Sequence, residues 1–581
     1  MSETLQTDFY SDEPMQCPAE WYGGYKEPRL LHAGDAERPL SDPVSGELQP
    51  ATFKFRLDDF DSKFREEIAD PENRYWRDQL THQMTSRENR RQLGRAFDTF
   101  CGFIADAQPA GPLAWDITLV DALTRSIMSE EFKIPWRQIG HGFVHLLDHV
   151  SEQLDLAQAE PIIYGRHTRT DPTVEPSPPA AFAFPPIYMG IETVNGTQYY
   201  VWMVADSAVK SLAIQVDGVD TPEGGDWLIA TQANWLAEFG TPYIDKPAAL
   251  LGVDRRYSLI YGRFGADDPD ACAQGEKQLL ALVEGREDEG DGSGDLITDY
   301  YQQYKHFVVN HIANQGHNSY MAGAWLESPT TFRDDYEIPV VDEDSFDTAS
   351  TVAAERRTGG IEGAAAIGIN GPGQAGRQIL ANWNVSGFVR FGQPQRFQMG
   401  LVTLHPTQAA KDAATLYTDA YEILKGSFST SIEWQTHKLV IDYRGDYRHE
   451  TGVHVTVDFV WNEEEANHWR QDLRLKRDYP YLPGRTQIAH LAGLELLTLL
   501  RPPRMIRLDQ TIGDTEDDNW LAYKNSGDYV KVLHFDAVGG RSERLHQIIT
   551  PIIRASARRA AAIALDCEDL IAFDVPAEDA S

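Results

Sequence analysis

Cysteine, basic charge and long apolar runs are all scarce in this sequence, and each shortage excludes something. The four cysteines (Cys17, Cys101, Cys272, Cys567) stand far apart in 581 residues, with no CxxC spacing. That excludes a zinc ribbon and a disulfide framework, and small buried hydrophobes are the expected reading. Lys and Arg together number 52 against 89 Asp and Glu, a net charge of −37. So large a negative excess disfavours adhesion to nucleic acid or anionic membranes. Arg outnumbers Lys and Asp is abundant, which suits a salt-rich setting but also follows from a high-GC genome. No run approaches the roughly 20 apolar residues that span a bilayer. The opening Met1-Ser2-Glu3-Thr4 lacks the basic and apolar regions of a signal peptide. A soluble chain made in the cytosol is expected.

Catalytic groupings are scarce too. His141, His145 and His149 would share one helical face with metal-like spacing, but there is no HExxH glutamate and Asp148 falls off that face. A polar helix face is the expected reading. Gly371 to Gly376 matches GxGxxG literally, yet Pro372 falls inside it. Gln393-Pro394-Gln395 stands where a dinucleotide site needs an acidic residue. It reads as a Gly-rich connector. The acidic stretch 284–295 (EGREDEGDGSGD) has Glu289, Asp291 and Gly292 in partial calcium-loop register counted from Glu287. Thr298 replaces the closing bidentate glutamate, so a solvated loop is expected. Acidic pairs such as those among Asp514, Glu516, Asp517 and Asp518 leave a glycosidase open, but nothing singles one pair out. No catalytic, cofactor-binding or metal-ligating residue is assigned, no cofactor is expected, and the chain reads as a non-enzyme.

What the chain does have is strand punctuation. Ile187–Val194 and Thr197–Val204 are rich in β-branched and aromatic residues around Asn195-Gly196, the pair best suited to a type I′ turn. Pro161 to Gly165 reads as a short buried strand closed by a glycine turn. Leu212 to Val216 precedes Asp217-Gly218, a second hairpin signal. Ile162 to Arg166 is echoed by Leu259 to Arg263, too briefly to define a repeat. Phe53, Phe55 and Leu57 alternate with polar neighbours, as do Leu113, Trp115, Ile117 and Leu119. Cys101 to Ile104 reads as a further strand, and Trp76 to Leu93 as either strands or a helix.

Helical spacing marks Tyr301 to Ile312, Arg377 to Trp383 and Tyr417 to Leu424. It also marks Gly484 to Leu500, with Ile488, Leu491, Leu494, Leu497 and Leu500 on one stripe and Pro502-Pro503 as the stop. Strands are expected through Val389, from Met399 to Leu404, from Lys438 to Tyr443, from Met505 to Leu508 and from Tyr529 to Leu533. A long stretch from Leu545 to Ile563 should bend near Pro551. The fold class expected is β-rich α+β multidomain, with paired small β-barrels flanking mixed α/β modules. The divisions are an extended, surface-docking arm over 1–50, a β-barrel domain over 51–160 and a β-rich hairpin domain over 161–265. Beyond these come a mixed α/β domain over 266–425, a strand–helix connection over 426–503 and a C-terminal β-barrel over 504–581.

Segment order gives a family likeness over about residues 50 to 575. It lies in Phe103 to Asp121, Pro161 to Arg166, Pro186 to Glu192, Asp295 to Ile312 and Leu380 to Gly392. It continues in Leu494 to Leu508, Gly527 to Val532 and Cys567 to Ile571. In these the chain resembles the tail-tip or baseplate hub proteins of tailed bacteriophages. The resemblance implies a structural virion protein at the tail tip, made in the host cytoplasm. It implies a homotrimer with paired β-barrels around a DNA exit channel. Implied partners are the tail tube or distal tail ring, the tape measure protein and tip or receptor-binding proteins. Genomic DNA would pass without specific binding, and no membrane span is expected. The alternative is a peripheral receptor- or glycan-binding tail protein.

Overall fold

The computed structural model describes residues 8–11, 15–17, 24–26, 29–33, 35–37, 40–42, 45–62, 65, 80–86, 96–120, 133–134, 147–155, 158–167, 183–194, 196–207, 209–222, 224–230, 258–288, 294–313, 331–332, 338–339, 341–369, 374–392, 399–403, 408–413, 416–418, 425–429, 438–443, 455–460, 474–482, 485–500, 505–511, 529–533, 544–554 and 560–565. Within them the chain is β-rich α+β, with several small sheets and few helices. No sheet path closes on itself among the described residues.

The hairpin read from the sequence forms. Ile187–Val194 pairs antiparallel with Thr197–Ala205 across Val194 and Thr197, and Gly196 has φ +81°. Asn195 lies outside the described residues. A bulge at Met189 breaks the register where Gly190, at φ +140°, lies against the His149 carbonyl. The hairpin forms the middle of a five-stranded sheet, flanked by His149–Val150 on one side and by Ser258–Arg263 and Trp227–Ala230 on the other. Its second strand is buried on both faces. Val201 and Met203 point to a cluster with Leu147 and Leu259, while Tyr200, Trp202 and Val204 face Ile214, Val216, Ala281 and Val283. The latter belong to a four-stranded sheet of Ala183–Phe184, Leu279–Arg286, Val209–Val216 and Val219–Thr221. Two sheets packed face to face explain why this strand reads as continuously apolar rather than alternating.

The second hairpin forms as the sequence indicates: Val216 pairs with Val219 across Asp217 (φ +51°) and Gly218 (φ +78°), the two positive angles of a type I′ turn. The short strand Ile162–Ile163 is fully buried and ends at Gly165, φ +74°. Its echo differs in geometry. Gly262 sits inside Ser258–Arg263, where a Cβ would meet Trp202 and Pro269. The two stretches are not a duplicated strand.

A seven-stranded sheet runs in the order Asp8–Ser11, Ala560–Leu565, Leu80–Ser86, Ala96–Gly111, Ala114–Val120, Thr52–Asp58, Leu30–Ala33. Cross-strand pairs Phe53–Leu119, Phe55–Ile117 and Leu57–Trp115 build its core, as their alternation requires. Leu113 is instead exposed in the turn. A six-stranded sheet joins Leu416–Thr418, Tyr529–Leu533, Arg544–Arg554, Met505–Thr511 and Lys425–Ser429, with Asp35–Glu37 added on Ile552–Arg554. Both sheets therefore combine strands from opposite ends of the chain. From the first fifty residues, Asp8–Ser11 and Leu30–Ala33 add strands to the first sheet and Asp35–Glu37 to the second; the Trp21-Tyr22 pair lies outside the described residues.

Three expectations need correction. Leu416–Thr418 is a strand, not the start of a helix, because its β-prone side chains pair parallel with Lys531–Leu533. The stretch from Leu545 to Ile563 divides into Arg544–Arg554 and Ala560–Leu565 in different sheets, and its first strand runs through Pro551. At that residue the register gives the strand one partner, Leu508, among the described residues. In the acidic stretch, Glu284 to Arg286 belong to a strand and Glu287 is fully buried, bridged to Leu296. The first four residues of 284–295 are thus part of the folded body rather than a solvated loop.

The helices are α1 (Asp267–Ala273), α2 (Tyr300–Phe307, continued as a π-turn over Val308–Ala313), α3 (Glu343–Arg356), α4 (Gly376–Gly387), α5 (Gln408–Ala413) and α6 (Arg485–Leu500). Asp299 caps α2 by accepting from the Tyr301 and Gln302 amides. The helix α4 packs around Trp383, which is fully buried and stacked on Tyr304 at 5.1 Å. Tyr304 donates to Asn384 Oδ1 (3.0 Å), and Asn384 Nδ2 donates to the Gly46 carbonyl (2.9 Å), tying the N-terminal segment to the helical layer. α6 matches the expected span and buries Ile488 and Leu491. It also buries Glu495, whose carboxylate accepts from the Tyr479 hydroxyl.

Candidate functional site

A grouping of buried ionisable side chains lies where the sandwich meets α2. Four elements deliver it. Tyr164 follows Ile162–Ile163, Asp206 follows the second hairpin strand and Arg286 ends Leu279–Arg286. His306 and His311 come from α2 and its π-turn. A π-turn adds a residue to the helical turn and re-aims the side chains around it, which is why such turns concentrate at functional positions.

The Tyr164 hydroxyl lies 2.8 Å from His306 Nδ1, and which of the two donates depends on the imidazole tautomer. Burial, reinforced by Arg286, holds the His306 pKa well below the ordinary value. Burial likewise raises the Tyr164 phenol. Arg286 Nη1 lies 3.2 Å from His311 Nε2, which is also 4.0 Å from Asp206 Oδ2. Asp206 Oδ2, 3.7 Å from the same Nη1, balances the guanidinium.

Chemically this is a charge pair flanked by two imidazoles and by a phenol whose pKa burial raises. Activating a nucleophile needs the reverse, an imidazole drawing a proton from a group whose pKa is depressed. The cluster therefore serves as a polar seam: Asp206 and Arg286 from the sheets meet the imidazoles of the helical layer.

A cleft of about 440 Å³ adjoins the seam at His306 and is lined also by Val309, Asn310, Leu296, Ile297 and Thr298. Asp288, Asp295, Asp299 and Glu343 line it, opposed by Lys305. Lys305 is already paired with Glu343 (3.0 Å) and Asp347 (3.3 Å).

The acidic stretch weighed from sequence reaches this cleft through Asp288 and Asp295, with Thr298 beside them, and the other groupings weighed do not line it. His149 is exposed and extended in a strand that pairs with Ile191, so it is on no helix face; His141 and His145 lie outside the described residues. Gly371 to Gly373 also lie outside them. α4 starts at Gly376 after Gln374–Ala375, a two-residue strand paired antiparallel with Lys133–Ile134, which is not a βαβ unit. Asp514 and Glu516 to Asp518 lie outside the described residues. Cys272 is a free, half-buried thiol pushed up to about 11 chiefly by burial. No group of three metal-ligating residues occurs among the described residues, and no described helix is long and apolar enough to cross a membrane. The Tyr164–His306–Arg286–Asp206 grouping escaped sequence reading because its members are up to 142 residues apart. Its one local signal is polar His306 and His311 inside an otherwise apolar helical stripe.

Compared with known proteins, the chain matches no family model and no curated protein. Among solved structures it is similar to the 43 kDa tail protein of prophage MuSo2 from Shewanella oneidensis, at 11% identity and a TM-score of 0.23. The match covers 71% of this chain and 100% of that one. A TM-score of that size does not establish a common fold.

Proposed function

We propose that this chain is a structural protein of a bacteriophage tail, and within the tail the hub of the tip or baseplate that joins the tube to the host-contacting end. The reading rests on the ordered likeness of its segments to tail hubs. The structural observation that favours it is that both chain ends are strands of the same seven-stranded sheet. Asp8–Ser11 and Ala560–Leu565 pair there, so the first and last β modules make one continuous β body. A ring around a channel needs such rigid blocks, and strong negative charge would let DNA slide past without sticking. The proposed assembly is a homotrimer contacting the tail tube or distal tail ring, the tape measure protein and receptor-binding proteins. The peripheral glycan-binding alternative draws no support from the described tryptophans: Trp115, Trp202, Trp227 and Trp383 are all buried rather than displayed for sugar stacking.

The experiment is antibody labelling of assembled particles combined with the mass in solution of the purified chain alongside its tail partners. Axial label and a ring-forming species are expected. Peripheral label, or a strict monomer at high concentration with those partners present, would defeat the hub reading.

A further inference from the structure

The two ends of α2 are fastened by different chemistry. Its first turns are held by neutral groups: Tyr300 donates to the Trp383 carbonyl and Tyr301 to the Gly387 carbonyl. Gln303 Nε2 donates to the carbonyls of Ile297 (2.8 Å) and Gly363 (2.9 Å). None of these groups changes charge between about pH 5 and 8. The far end is held by imidazoles. His306 meets the Tyr164 hydroxyl at 2.8 Å, and His311, inside the π-turn Val308–Ala313, lies 3.2 Å from Arg286 Nη1. Both are histidines, the side chain whose charge does change in that range.

A proton on either ring, whichever nitrogen takes it, sets a second positive charge beside the Arg286 guanidinium. Asp206 already balances that guanidinium at 3.7 Å and lies 4.0 Å from His311 Nε2. One carboxylate does not offset two or three cations in a seam where His311 is 3% exposed. From α4 the seam meets the uncharged Trp383, packed on Tyr164 and Phe307. Buried Glu287 follows Arg286 in the chain. At the adjoining cleft Asp288 and Asp295 are exposed, Asp299 caps α2, and Glu343 pairs with Lys305 (3.0 Å). Exposed carboxylates are screened by water and salt. On His306 the acting charge is Arg286, which disfavours its protonation.

We propose that this seam is an acid-operated latch: protonation of His306 and His311 releases the turn 308–313 from the sheets while the first turns of α2 stay docked. A π-turn suits that role, since its widened ring of backbone bonds is a local irregularity rather than part of a regular helix. The inference is independent of where the chain sits in a tail.

The test is hydrogen–deuterium exchange of the full-length protein from about pH 7.5 to about pH 5, corrected for the intrinsic pH dependence of amide exchange. Peptides covering 308–313 and 162–164 should lose protection by up to about tenfold per pH unit for each imidazole that titrates. Those covering 197–205 and 300–304 should keep theirs. His306→Gln and His311→Gln should each reduce the slope at 308–313, and the double variant should abolish it, with a far-UV spectrum at the upper pH as the check on folding. If the double variant does not fold, the two single variants carry the comparison. No selective loss at 308–313 in the wild type would overturn the proposal. So would parallel loss at 197–205, which is global unfolding, or an unchanged slope in both single variants.

Discussion

Gly196 and Gly46 both have positive φ, yet substitution should cost very different amounts. At Gly196, φ is +81° and a Cβ would meet nothing within 4 Å, so only backbone strain opposes a side chain. Gly196→Val should cost about 1–2 kcal/mol, with Gly196→Asn close to neutral, because Asn tolerates the left-handed region. At Gly46, φ is +70° and a Cβ would lie 2.6 Å from the Ala381 carbonyl oxygen and 2.8 Å from the Val385 side chain. Gly46→Ala adds a clash with α4 to the strain and should cost more than Gly196→Val. Urea denaturation of the variants ranks them; an equal or reversed order would contradict the docking of the 45–48 turn on α4.

The seam makes a second residue-scale prediction. His306 has a folded pKa well below 6.5, lowered first by burial and then by Arg286. The unfolded chain therefore binds a proton that the folded chain refuses as pH falls below about 6.5. Stability from this group is complete above that pH and is lost going down, by at most about 1.4 kcal/mol per pH unit. His490, lowered by burial and by Arg357 and Arg356, adds in the same direction. His306→Gln should make the pH profile between about 6.5 and 5 shallower while leaving the share from His490. An unaltered slope would mean that His306 is not buried as described. Asp206→Asn leaves the Arg286 charge without its partner and should cost about 3 kcal/mol, read by the same denaturation series.

Among elements, legibility followed the range of the interaction that decides each one. The Asp217-Gly218 turn, α6 with its Pro502-Pro503 stop, and Lys438–Tyr443 were readable because local chemistry or periodicity settles them. Leu416–Thr418 was not, since its partner strand is more than a hundred residues away. His149 misled because three histidines at helical spacing say nothing about the strand beside Ile191 that captures the last of them. The seam was invisible for the same reason: no spacing rule links Tyr164, Asp206, Arg286 and His306. Pairing in the hairpin makes an element-scale prediction. Trp202 packs with Tyr188, Tyr200 and Trp227 between the two sheets, so Trp202→Ala should cost about 3–5 kcal/mol. Loss of near-UV circular dichroism before global unfolding would mark loosening of the sandwich, and an unchanged midpoint would contradict the two-faced burial of this strand.

At the scale of the whole molecule, the two ends of the chain are structurally inseparable. Ala560–Leu565 lies between Asp8–Ser11 and Leu80–Ser86, and the 505–554 strands supply three of the six in the second sheet. The C-terminal segment was expected to form a β-barrel or half-barrel packed with the first module, of the same or an adjacent subunit, and its removal to leave soluble fragments that no longer assemble. With the strands shared, deleting residues 504–581 leaves Leu80–Ser86 as a raw edge and strips Leu416–Thr418, Lys425–Ser429 and Asp35–Glu37 of their partners. Unpaired edges template association with other chains. The truncated protein should therefore aggregate or form ill-defined oligomers on expression. Deletion of 560–581 alone removes one interior strand and should yield a folded core with a lowered midpoint. Adding a synthetic peptide spanning 558–567 should restore that midpoint in part, by reinsertion between the two strands. Gel filtration and melting of the two deletions separate the cases. A monomeric, fully stable 1–503 fragment would show that the two ends fold independently and that the shared sheets are wrong.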